Sequence, residues 1–168
     1  MRRLVLMEAA LPGLGLEELC DADQYPRMYH LPLFDAPNGL AELLITGREE
    51  QFVAHFMRQQ TYDPTGPDQE ALTEYARRLA APGALHGGIA YFRAHKLDAA
   101  RNRAHAKTKL PMPVLTVGGA ASFGAHLAGQ IRPLVEQLHS VLLDECGHYL
   151  AEEQPARVVE ELLRFFEE

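Results

Sequence analysis

Between the apolar run Leu4–Met7 and the next one of strand length, Val114–Val117, the chain carries no strand signal, and that long gap dictates what it can fold into. Leu4–Met7 is a continuous apolar strand of the kind found in sheets covered on both faces. Val114 to Val117 repeats the pattern, and Val141 to Leu143, within Ser140-Val-Leu-Leu143, gives it a third time. A helical stretch from Phe123 to about Leu138 separates the last two. Strands that alternate with helices at this spacing form parallel βαβ units with right-handed crossovers. The expected fold class is α/β, a short parallel sheet with an inserted helical unit. Residues 1–11 and 108–168 would form the sheet part, and residues 12–107 a separable helical unit.

The insert reads as helices joined by turns. Residues from about 11 to 38 are rich in Pro, Gly and Asp and predict loop with short helical turns. Thr46-Gly-Arg-Glu49 has capping-box spacing, and Phe52, Val53, Phe56 and Met57 then share one helical face. Gly66-Pro-Asp68 opens a second helix with Leu72, Tyr75, Ala76 and Leu79 inward. Pro82-Gly83 ends it, and a third runs through Ile89, Phe92 and His95 toward residue 105. The basic residues from Arg93 to Lys109 read as a solvated helix end and a linker.

Composition narrows the function classes. A formal charge of −7 argues against nucleic acid or an anionic membrane surface as partner. Hydrophobic residues make up 47% of the 168, yet no apolar run approaches bilayer length and no signal-peptide pattern is present. Cys20 and Cys146 provide neither a disulfide framework nor metal-ligand spacing, so a reducing, cytoplasmic setting without metal or cofactor is expected.

Chemistry concentrates at two strand ends. Asp144-Glu-Cys-Gly-His148-Tyr-Leu-Ala-Glu-Glu-Gln-Pro155 places a histidine on a glycine-loosened loop between the third strand and the last helix. That helix opens at Pro155, with Val158, Val159, Leu162, Leu163 and Phe166 at helical spacing. Open α/β sheets bind ligands outside the carboxyl ends of their strands. Glu8, directly after the first strand, emerges at the same edge.

Four segments resemble the α/β-hydrolase superfamily, in the branch of epoxide hydrolases and haloalkane or haloacetate dehalogenases that carry a helical cap. They are Arg3-Leu-Val-Leu-Met-Glu8-Ala, Gly47-Arg-Glu, Ala81-Pro-Gly-Ala-Leu85 with Tyr91-Phe-Arg-Ala94, and Met112-Pro-Val-Leu-Thr-Val-Gly-Gly119 followed by the His148 loop. The resemblance covers nearly the whole chain in the family's order. It implies the C-terminal half of such an enzyme, with residues 12–107 as the cap. It also implies a triad histidine at His148 and a triad acid after the first or the second of these strands. The loop Gly118-Gly-Ala-Ala-Ser-Phe-Gly124 after the second strand holds no Asp or Glu, which leaves Glu8.

In the resembled epoxide hydrolases two cap donors hold the substrate oxygen as the ring opens. His30, within Tyr29-His-Leu-Pro-Leu-Phe34, matches one of these positions. The other is normally a Tyr directly before Arg-Ala, and here it is Phe92, which lacks a donor. Tyr91 lies about 100° around an ideal helix and would replace that donor only if the helix were rotated. His30, Phe34, Tyr91 and Phe92 are therefore the expected substrate-binding residues. The halide, ester or lactone chemistries of relatives stand beside epoxide opening.

The family's nucleophile elbow, Gly-x-Ser-x-Gly or its Asp counterpart, does not occur in these residues. Gly119-Ala-Ala-Ser122-Phe-Gly124 misses the spacing by one, and Ser122 reads as a helix N-cap. Two functional readings follow. In one, the chain supplies cap, acid and histidine to a hydrolase whose nucleophile half is absent here, so the isolated chain is inactive. In the other it is a non-catalytic remnant that binds a hydrophobic ligand or another protein. The expected partners are a small hydrophobic substrate and either the missing N-terminal half or a second copy in a homodimer, since a sheet cut at Leu4–Met7 would expose an edge.

Overall fold

The computed structural model describes residues 1–21 and 23–167. Strand β1 (Leu4–Met7) is followed by short 3-10 turns and then helices α1 (His30–Asp35), α2 (Leu40–Ile45), α3 (Glu49–Gln60), α4 (Gln69–Leu79), α5 (Ala84–Arg93) and α6 (His95–His105). The chain then returns to the sheet as β2 (Val114–Gly119), crosses through α7 (Gly124–Ile131) to β3 (Leu138–Leu143), and ends in α8 (Leu150–Glu153) and α9 (Pro155–Glu167). All strands are parallel, in the order β1-β2-β3, with Leu4 beside Val114 and Val114 beside Leu138. No strand lies between β1 and β2 among the described residues.

β2 is central and buried along its whole length. Side chains alternate across a strand, so β2 feeds two cores. Leu115 and Val117 pack with Leu143, Cys146, Leu150, Val158 and Phe165 under α9. Val114 packs with Leu127, Ile131 and Val135 under α7 on the opposite face. Each such aliphatic side chain contributes about 1.5–3 kcal/mol on burial, so this strand anchors the two loops that leave its neighbours' ends. The helical insert has cores of its own, around Phe34, Ala41, Ile45 and Ile89, and around Val53, Met57, Leu72 and Ala76.

Several local expectations change. The capping box at Thr46 does not form: the Thr46 hydroxyl donates back to the Glu42 carbonyl at 2.7 Å, and Glu49 accepts from Gly47 N–H instead. The helix expected through His95 breaks at Ala94, where His95 Nδ1 lies 2.9 Å from the Phe92 carbonyl and occupies an acceptor that an unbroken helix would use. Arg93 is not part of a solvated run, because it clasps Glu42 with two nitrogens and the Phe34 carbonyl with a third. β3 begins at Leu138 rather than near Ser140, because backbone pairing with β2 extends it through exposed His139 and Ser140. On α9 the buried positions are Val158, Glu161 and Phe165, and the stripe Val159, Leu163 and Phe166 stays more than half exposed.

Candidate active site

Because the strands are parallel, the ends of β1, β2 and β3 meet at one sheet edge, and each contributes a piece of one constellation. Glu8 follows β1 with φ of 45°, a left-handed conformation that costs a non-glycine residue about 1 kcal/mol or more. The turn drives its carboxylate inward, and the residue is only 7% exposed. Three donors meet it there. Gly119 N–H, at the end of β2, donates to Oε1 at 2.7 Å. The Ser122 hydroxyl donates to Oε2 at 2.7 Å, and His148 Nδ1, from the loop after β3, lies 3.0 Å from the same oxygen.

An ionised carboxylate only accepts, so it selects the imidazole tautomer protonated on Nδ1 and leaves Nε2 with its lone pair. This arrangement orients a base. The ring of His148 is held between Phe123, 5.7 Å away by centroid, and Tyr149 at 5.1 Å. Gly119 has no alternative residue, since a Cβ there would collide with the carbonyl oxygens of Gly147 and Cys146. Ser122 is not the N-cap of α7; Phe123 holds that position and the serine hydroxyl is spent on Glu8.

The backbone of the histidine loop is tied as firmly as its side chain. His148 N–H donates to the Gln60 carbonyl at 2.8 Å. The Glu153 carboxylate accepts from Gly147 N–H at 2.9 Å, Tyr149 N–H at 3.1 Å and Tyr62 N–H at 2.7 Å. Cys146, two residues before the histidine, is fully buried, and burial, with the Glu153 and Glu8 carboxylates adding to it, pushes its thiol up to about 11. A protonated, enclosed thiol is a poor nucleophile.

The insert brings three of the four expected substrate-binding residues together. His30 is 5% exposed, with its ring 5.7 Å from Phe34, 5.0 Å from Phe56 and 5.7 Å from Phe92. Phe34 and Phe92 are 5.1 Å apart. Tyr91 does not join them: it is 78% exposed, so the helix is not rotated to bring its hydroxyl inward. Burial pushes His30 down to about 4, against the upward pull of the Arg27 carbonyl, and nearby His148 lowers it further. His30 is therefore neutral at physiological pH, and its Nδ1 is buried without a partner, as is the Tyr29 hydroxyl.

A cavity of about 280 Å³ is bounded by Leu19, Tyr25, Met28 and Gln60 and meets the site at Ser122 and Phe123. A second, of about 460 Å³, lies within the insert, lined by Phe34, Phe52, Phe56 and Phe92 and by Tyr149, the residue after His148, and has the apolar walls typical of small-molecule sites. Among the described residues, no group of three or more His, Cys, Asp or Glu side chains is placed to hold a metal ion. No helix among them is long and apolar enough to cross a membrane.

Sequence reasoning reached Glu8 and His148 but missed Gly119, Ser122 and Glu153. The first two act on Glu8 across more than a hundred residues, a separation that leaves no local pattern. Glu153 did leave a signal. A glutamate four residues after Tyr149, the residue that opens α8, is placed to accept orphan N–H groups at a helix start.

No protein-family model matches the chain. The soluble epoxide hydrolase of Corynebacterium sp. (strain C12) is 31% identical over 109 residues, which cover 62% of this chain and 36% of that protein. The crystal structure of Cfl2 from Burkholderia cenocepacia superposes with a TM-score of 0.89 at 31% identity, covering 99% of this chain and 57% of Cfl2. A Nostoc sp PCC 7120 protein described as an α/β-hydrolase superposes at 0.88, with 23% identity, over 99% of this chain and 58% of its own. The chain thus spans just over half the length of these solved structures and about a third of the curated relative. By fold the chain matches part of an α/β-hydrolase, and in sequence it is similar to a soluble epoxide hydrolase over 109 residues.

Proposed function

We propose that this chain supplies the acid, the base and the substrate-holding cap of a hydrolase that acts on a small hydrophobic electrophile. His148 is the base, oriented by Glu8. A carboxylate nucleophile outside these 168 residues attacks carbon and forms an ester as the carbon–oxygen or carbon–halogen bond breaks and its electrons go to the leaving atom. His148 Nε2 then takes a proton from the water that hydrolyses the ester. The proton then resides on the imidazolium, which Glu8 stabilises without itself being protonated. The observation that carries this reading is the 3.0 Å contact between His148 Nδ1 and a buried carboxylate that Gly119 and Ser122 also hold.

The substrate would lie against Phe34, Phe56 and Phe92, with its leaving oxygen or halide near His30. Because position 92 is phenylalanine, the second donor must come from elsewhere. Tyr29 is the supported choice, since its hydroxyl is buried, unpartnered and on the residue next to His30. A hydroxyl there supplies an O–H donor before charge develops on the leaving atom.

The test joins the N-terminal half of the Corynebacterium epoxide hydrolase to this chain and compares the fusion with the chain alone. The chain alone should not turn over epoxides, fluoroacetate, haloalkanes or p-nitrophenyl esters, and the fusion should turn over at least one class. Turnover by the lone chain that disappears in Ser122→Ala would instead identify an unconventional nucleophile and end this reading.

A further inference from the structure

The Glu153 carboxylate makes a junction that neither the acid nor the base explains. Its two oxygens accept three backbone N–H groups, from Gly147, Tyr149 and Tyr62. The first two bracket His148, and the third belongs to the helical insert. Between them, His148 N–H reaches the Gln60 carbonyl. The two chain segments approach so closely that a Cβ on Gly147 would collide with the Gln60 carbonyl and sit 2.7 Å from Tyr62 N. Three consecutive amides of the histidine loop are thus fixed either by Glu153 or by the insert.

The insert side of this junction is the end of α3. Gln60 is the last residue of that helix, and one turn earlier it carries Phe56, which lines the aromatic cavity and touches His30. Tyr149 closes the circuit, as it packs against the insert core of Val53, Met57, Leu72 and Ala76 and stands edge-on to the His148 ring. Movement of α3 would therefore displace the backbone that presents His148. Hydrogen bonds to a charged acceptor are about twice as strong as neutral ones, so a single carboxylate is an effective tie here.

We propose that Glu153 is a positioning residue that couples the helical insert to His148, so that the seat of the substrate and the orientation of the base move as one unit. The inference rests on the hydrolase reading above and goes further by assigning the link between cap and base.

The experiment uses the 168-residue chain and two spectroscopic readouts, the Nδ1 proton of His148 by NMR and amide hydrogen exchange at residues 62, 147, 148 and 149. In the wild type the Nδ1 proton should be visible, slowed by its bond to Glu8. In Glu153→Gln, which keeps the volume but loses one acceptor oxygen, that signal should broaden or vanish, and exchange at the four amides should rise about tenfold or more. The β2 amides should stay protected. Ile131→Ala, which lowers stability from the α7 face, should leave the His148 signal in place and so separates positioning from general weakening. Where Glu153→Gln fails to fold, Glu153→Asp serves, and its shortened side chain should give a weaker form of the same effect. A preserved Nδ1 signal and unchanged loop exchange in folded Glu153→Gln, or in Glu153→Asp where it serves, would overturn the coupling. Absence of the Nδ1 signal from the wild type would instead overturn the Glu8–His148 pairing, and with it the hydrolase reading.

Discussion

Ser122 donates its hydroxyl to the same oxygen of Glu8 that His148 engages, at 2.7 Å against 3.0 Å. The carboxylate therefore does not swing freely between its partners. Removing the serine leaves a nearly enclosed charge with fewer donors, and the loss of one hydrogen bond to such a group costs about 1.5–3 kcal/mol. Ser122→Ala should lower the urea midpoint correspondingly and loosen the His148 ring. An unchanged midpoint would show that water takes over the role.

Gly119 sits where only glycine fits, against the carbonyls of Cys146 and Gly147. Gly119→Ala should push the histidine loop away from β2 and destabilise the chain by about 2 kcal/mol or more, a cost in the range of strained substitutions. Thermal melts would detect it. Gly129→Ala is the control, because nothing lies near a Cβ at that position.

A buried histidine and a half-buried carboxylate give pH dependences in adjoining windows. His30 titrates near its ordinary 6.5 when unfolded and at about 4 when folded. As pH falls between those values the unfolded chain gains a proton that the folded one does not, so stability declines by about 3 kcal/mol and then levels off. Above 6.5 there is no penalty. Glu42 shows the opposite arrangement, because Arg93 holds its carboxyl down to about 2. Its contribution is fully present above 4.5 and is lost as pH falls toward 2. His30→Phe should flatten the upper window alone and Arg93→Met the lower alone, as read from urea midpoints across pH.

Much of this arrangement was legible in the residues, for identifiable reasons. Leu4–Met7 and Val114–Val117 are apolar because both faces of their sheet are covered, and they form β1 and β2. The start of β3 was not legible, because His139 and Ser140 are exposed and owe their strand conformation to pairing with Leu115 and Thr116. Phe165 rather than Phe166 is buried on α9, a distinction that helical spacing alone does not make when both neighbours are aromatic. At the site, the strand ends offered Glu8 and His148 as candidates and the family resemblance selected them, and the structure brings the two side chains together. The donors that steady Glu8 come from distant chain positions and needed the folded sheet to find them.

The exposed side of β1 and the stripe Val159, Leu163 and Phe166 on α9 lead to a prediction about assembly. β1 pairs only with β2, so one row of its backbone groups is unpaired among the described residues, and the stripe adds apolar surface. The 168-residue chain should associate with itself at micromolar concentration, or with a segment that supplies the adjoining strands. Light scattering should record a dimer or larger species, and Val5→Asp should cause aggregation or unfolding. A stable monomer would contradict this account of the edge.

On the proposed mechanism His148, oriented by Glu8, hydrolyses an ester formed on a nucleophile beyond these residues. Mass spectrometry of the fusion enzyme with the N-terminal half of the Corynebacterium protein tests it directly. With substrate present, His148→Gln should accumulate a covalent adduct of substrate mass, because attack on carbon proceeds and hydrolysis of the ester does not. Glu8→Gln should accumulate the same adduct to a lesser degree, and the unsubstituted fusion should show little. Steady turnover in His148→Gln without an adduct would contradict the assignment of the base and the mechanism built on it.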